Sequence, residues 1–134
     1  MAIVADYVNE TNDGKLNVLG IFDTISANQF PATHPELRLV ISIEFTVAEC
    51  GTERELTVDF IDQDGNRVIR ISQPFSVPQF EISANRNVHN SIMQLRGLPV
   101  PHAGTFEFHI LMNDVEIARI PVYAKLTGQP EGAT

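Results

Sequence analysis

The stretch GTFEFHILMNDVEIARIPV, residues 104 to 122, carries an imidazole at His109, carboxylates at Glu107, Asp114 and Glu116, and a guanidinium at Arg119. These types can move protons: a histidine acts as base, a carboxylate orients it, and a cation steadies an anion. Chemistry of that kind requires the groups to converge, so the element that carries them decides the question. Phe106, Phe108, Ile110 and Met112 share one parity, Asn113 and Asp114 tolerate left-handed backbone, and Val115 with Ile117 return along a partner strand. The stretch therefore reads as a hairpin in which Met112 faces Val115 and Ile110 faces Ile117. Beyond it the apolar parity switches to Ile120, Val122, Ala124 and Leu126, and a bulge near Ala118 and Arg119 would restore the phase. His109 and Glu107 then lie together on the outer face.

Four other groups of residues invite a chemical reading. In DQDGN, residues 62 to 66, Asp62, Asp64 and Asn66 offer oxygen at alternate positions as a calcium loop would. The twelfth position of such a loop falls on Gln73, and the flanking pattern is not helical, so a hairpin turn accounts for the motif. His34, His89, His102 and His109 show no short pairing and have no CxxC companion, which leaves zinc without local ligands. Cys50, in AECGTE, follows a strand and precedes Gly51 with no base near it in sequence. Glu53 with Glu55, and Asp62 with Asp64, read as surface charge. GxSxG, GxxxxGK and GxGxxG are absent from the chain. No catalytic, cofactor-binding or metal residue is assigned, and no cofactor is expected.

The elements that would have to position any site are extended. PELRLVISIEFTVAE alternates Leu37, Leu39, Ile41, Ile43, Phe45 and Val47 with Arg38, Val40, Ser42, Glu44 and Thr46, the period of a long strand with one wet face. RELTVDFIDQDGNRVIRIS sets Leu56, Val58 and Phe60 on one parity and reaches Val68, Ile69 and Ile71 through a turn in which Gly65 takes positive φ. LNVLGIFDTI is apolar on both parities, as a strand covered on both faces would be, and Asn12, Asp13 and Gly14 turn into it from IVADYV. Gly20 within it marks a bulge or a close backbone approach. From 73 to 101, Pro74, Pro78, Pro99 and Pro101 punctuate short apolar pieces around a polar loop, SANRNVHN, at 83 to 90. Proline cannot donate to a ladder, so these pieces suit sheet edges and crossovers. The sum is an all-β chain, an antiparallel two-sheet sandwich of about eight strands, with one domain over 1–126 and a flexible tail over 127–134.

Composition narrows the partners. Seventeen acidic against nine basic side chains give a net charge of −8, a field that repels phosphate backbones and anionic lipid. Eight Phe, two Tyr and no Trp describe core filling better than a stacking platform. A single cysteine and an acidic, leaderless start suit a reducing, cytoplasmic setting.

The opening ADYVNETNDGKLNVLGIFDTI, the central FPATHPELRLVISIEF and the closing AGTFEFHILMNDVEIARIPVYAKL resemble a family of small bacterial domains of unknown function. That resemblance implies an immunoglobulin-like or related sandwich and a bacterial source, and it transfers no site residues. The expected function is a non-catalytic protein–protein interaction or structural module, self-associating or part of a larger assembly, without nucleic-acid or membrane partners. The alternatives are a sandwich that binds a small ligand or calcium through loops at one end and, last, an enzyme with dispersed residues.

Overall fold

In the computed structural model, residues 1–77, 79 and 87–127 are described. Nine strands run in chain order: β1 (Ala2–Glu10), β2 (Leu16–Ile21), β3 (Thr24–Ala27), β4 (Ala32–Phe45), β5 (Glu53–Asp62), β6 (Arg67–Ser76), β7 (Asn87–Val100), β8 (Gly104–Met112) and β9 (Val115–Leu126). The first sheet has the order β2-β1-β4-β7 and the second β3-β9-β8-β5-β6. All pairings are antiparallel except one. β3 runs parallel to β9, Thr24 opposite Tyr123 and Ala27 opposite Leu126, which corrects the expectation of a wholly antiparallel architecture. The helical content among the described residues is one 3-10 turn, Val47–Glu49.

Alternation builds the core. Leu37, Leu39 and Ile41 of β4, Val58 and Phe60 of β5, and Phe106, Phe108 and Ile110 of β8 are buried in one cluster between the two sheets. Phe60 stands at its centre, 4.9 Å from the Phe106 ring and 4.7 Å from the Phe108 ring. Proline behaves as its missing donor demands: Pro74 lies in β6 and Pro99 in β7, each the edge strand of its sheet. Of SANRNVHN, residues 83–86 fall outside the described residues, and Asn87–Asn90 begin β7 instead of forming a loop. Pro78 and residues 128–134 of the expected tail also fall outside them.

The N-terminal hairpin departs from its sequence pattern. β2 is an edge strand, and Leu19 and Ile21 are 64% and 67% exposed, so the expectation of burial on both faces fails. Apolar residues on both parities arise here because the hairpin has a face of its own to cover. Val8 is buried with Ala5 and Val40, and Leu16, Val18, Ile3 and Ile92 pack on them. The tip crosses the outer face of the first sheet as far as β7, where Asn90 Nδ2 donates to Glu10 Oε2 at 2.7 Å. For the same reason Val40, expected in solvent, is buried, while Val47, expected in the core, is exposed in the 3-10 turn. Gly20 takes φ +72° where the Asp6 side chain lies over it, so of the two readings the close approach holds.

Candidate functional site

The β8–β9 hairpin turns at Asn113 and Asp114, with φ +48° and +66°, as the turn residues require. Met112 faces Val115, but Ile110 faces Ala118 and not Ile117. The register shifts between Ile110 and Leu111, so Ile117 is the extra residue, one position before the expected bulge. This shift keeps Ile120 and Val122 in the core and sends Arg119 outward, opposite His109. On the other side of β8, His109 faces Asp59 of β5, and Asp59 faces Arg70 of β6. Four strands thus set Arg119, His109, Asp59 and Arg70 in one row on the outer face of the second sheet.

Within that row Arg70 grips Asp59 with two parallel bonds, Nε to Oδ1 at 2.7 Å and Nη2 to Oδ2 at 2.8 Å. The bonds from Arg70 hold the Asp59 carboxyl below the usual carboxylate range against the opposing effect of burial, and Arg67 and His109 add smaller pulls. Arg119 Nε donates to Glu116 Oε1 at 2.6 Å, and that bond likewise lowers the Glu116 carboxyl. His109 sits between two acids, Nδ1 3.5 Å from Glu116 and Nε2 3.6 Å from Glu107. The residues of the opening stretch therefore do come together. Each of the two central carboxylates already carries a guanidinium and stays ionised at neutral pH, so neither is a proton donor there. The arrangement is an ion-pair lattice on a sheet surface. Clefts of about 420, 330 and 460 Å³ are lined by other residues, Arg119 and Arg70 alone bordering one each.

The DQDGN segment is the β5–β6 turn. Asp62 Oδ1 accepts from the backbone N–H groups of Asp64 and Asn66, both at 2.9 Å, and Oδ2 faces Asn66 Nδ2 at 3.3 Å and His102 Nε2 at 3.2 Å. Those bonds lower the Asp62 carboxyl. His102 also directs Nδ1 to the carbonyl of Ala103 at 2.8 Å. Two acceptors face the two ring nitrogens, a pattern only the imidazolium can satisfy in full, and the His102 pKa is accordingly raised. Among the described residues no group of three or more His, Cys, Asp or Glu is placed to hold a metal ion.

The remaining candidates are dispersed. His89 is half-buried against the Phe75 ring, 4.7 Å away, and burial pushes its pKa down. His34 lies tilted against the Phe22 ring, 5.6 Å away, and its Nε2 is enclosed with no hydrogen-bond partner among the described residues. Cys50 caps the 3-10 turn, its Sγ 3.4 Å from the Thr46 carbonyl. Glu53 accepts from Ser76 Oγ at 2.6 Å and, with Glu55, lines the 330 Å³ cleft.

Sequence reading missed the Asp59–Arg70 pair and the cleft between the two edge strands. The first had only part of a signal: the hairpin brings the two segments together, but a fixed register from the Ile61–Arg67 pair would set Asp59 opposite Ile69, and the shift between Phe60 and Ile61 brings it opposite Arg70. The second had a signal only for its edges, which the prolines of 73 to 101 mark; the cleft itself arises where two edge strands from different sheets stand beside each other. Between β6 and β7 lies the 460 Å³ cleft, with Ile69, Ile71, Leu95 and Leu98 as apolar lining and Arg70 and Arg96 at its border.

Residues 1–125 match a protein family whose description reads "Family of unknown function (DUF6941)". No curated protein matches the chain. Among solved structures, Pseudomonas fluorescens alkylpurine DNA glycosylase AlkC, bound to DNA containing an abasic site analog, is similar at a TM-score of 0.44 and 11% sequence identity. The likeness covers 92% of this chain and 30% of that one, so the chain spans under a third of that neighbour's length.

Proposed function

The chain belongs to the DUF6941 family, of unknown function, and from that premise we propose a non-catalytic protein–protein interaction module whose partner engages the side between β6 and β7. The observation that carries this reading is the pair of edge strands flanking an apolar cleft. Among the described residues β6 is hydrogen-bonded to β5 on one side only, and β7 to β4 on one side only. An edge strand presents a row of backbone donors and acceptors, and an extended partner can complete it. The module works as a subunit beside another protein or beside a second copy of itself. The carboxylates Asp59, Glu116 and Asp62 support the non-catalytic part, since each is engaged by neighbours within its own fold.

An immunoglobulin-like architecture belongs to the same reading. β4 beside β7, with β9-β8-β5-β6 in the facing sheet, follows the B–E and G-F-C-C′ neighbours of that class. A bacterial, cytoplasmic setting fits the lone Cys50 and the acidic surface.

A photo-reactive residue at Ser72, exposed on β6, tests the module, with Lys15 in the β1–β2 turn as control. A discrete adduct from Ser72 but not from Lys15, in lysate of the source organism or with purified chain alone, is the expected result. No adduct from Ser72, together with a monomer by sedimentation, would sink the reading.

A further inference from the structure

We infer that the occupant of the β6 edge is an extended acidic segment of another protein, alternating carboxylate and apolar side chains, which adds to the second sheet as a sixth strand. This rests on the interaction-module reading above and names the partner's chemistry. Backbone regularity selects β6 over β7. From Ile69 to Gln73 the β6 register against β5 is continuous and free of proline, the one shift lying before it between Phe60 and Ile61 and Pro74 following it. The part of β7 that borders the cleft contains Gly97 at φ +66° and Pro99, which interrupt a ladder. A strand laid on β6 sends alternate side chains inward over Leu95 and Leu98, which is the place for its apolar set. Its other set faces the outer surface, where Arg70 is already held in a fixed pose by Asp59.

Charge selects the acidic partner. In a chain of net charge −8, Arg67, Arg70 and Arg96 are three of nine basic side chains, and all three stand along this one edge or the cleft beside it. Arg96 faces Glu36 across β4, yet Glu36 is taken by Arg38 at 3.0 Å and by Gln94. Among the described residues neither Arg67 nor Arg96 has a carboxylate within ion-pair distance. A second copy of β6 laid antiparallel would bring the Arg67 and Arg70 of a second chain to the same edge and no carboxylate from its own strand, so the positive charge there would grow. An acidic strand offsets that charge and supplies the missing counter-charge.

Fluorescence anisotropy with a labelled nonapeptide alternating valine and glutamate, titrated with the intact chain, tests the inference. Its comparators are the valine–lysine peptide and a valine–glutamate peptide carrying a central proline. The expected result is saturable binding of the first peptide, with both comparators weaker by about tenfold or more. The double variant Arg67→Glu, Arg96→Glu should lose about tenfold for the same peptide while keeping its melting midpoint. Equal binding of the lysine peptide, or no effect of the double variant, overturns the acidic assignment. If Ser72 still captures a partner while the glutamate peptide does not bind, the acidic claim alone falls. Loss of both removes the module reading as well.

Discussion

Asp59 is 5% exposed and ionised, and Arg70, half in water, is the group that keeps it so. Removing one partner is therefore unequal to removing the other. Arg70→Met leaves a covered carboxylate without its counter-charge, whereas Asp59→Asn leaves a guanidinium that water can solvate. Denaturant unfolding should show the larger loss for Arg70→Met. The Asp59 pKa lies below its ordinary 3.8 in the fold, so its contribution is present above that value and is lost as pH falls through the lowered one. In Arg70→Met that acid-side loss of stability should shrink. His102 has the opposite sign. Its pKa is raised above the ordinary 6.5, so its contribution is full below 6.5 and is lost as pH rises through the raised value. Unfolding midpoints measured from pH 5 to 9 should fall across that window in the native chain and stay flatter in His102→Gln. His89, lowered by burial, counts against stability as pH drops below 6.5 and partly masks the His102 effect in the native chain, so the two pH profiles are compared as a difference.

At the scale of elements, the β8–β9 turn is also a clasp. Asn113 Oδ1 accepts from the Glu55 N–H at 2.8 Å, and its own N–H donates to the Glu55 carbonyl at 2.9 Å. Asn113→Ala loses the side-chain bond and sets a Cβ-bearing residue without compensation at φ +48°, a combined cost of about 2 kcal/mol. Asp114→Gly should fall within about 1 kcal/mol of the native chain, because glycine takes φ +66° freely. Urea unfolding of the two variants checks the contrast. This turn, the Asp62–Asn66 turn and the long alternation of β4 were legible in sequence because turn chemistry and period two are local signals. The β2 edge was not, since an apolar strand buried on two faces and one folded over its own sheet read alike. Ile117 shows the limit finely: the parity switch announced a bulge, but its seat depends on how Arg119 finds the outer face. The row from Arg119 to Arg70 needed the β5–β8 pairing, which joins residues some fifty positions apart and leaves no mark on either segment.

For the whole molecule, stability depends on one shared core between the sheets. Phe60 touches two other rings there and is fully buried, so Phe60→Ala should cost about 3–5 kcal/mol, a large share of the roughly 5–15 kcal/mol typical of a domain. A shifted urea midpoint at unchanged slope would be the expected signature; a loss under about 1 kcal/mol would contradict the central place given to this ring. The parallel contact of β3 with β9 has a further consequence, for the order in which a ribosome delivers the parts. Thr24–Ala27 leave the exit tunnel early, yet their partners, Tyr123–Leu126, are about a hundred codons away. Until those codons are read, β3 has no neighbour, β8 lacks one flank, and Phe106 and Phe108 sit in an unfinished layer. The nascent chain can close its hairpins one after another as it emerges, but the second sheet is completed only when translation has passed Leu126 and the last strand slides between β3 and β8.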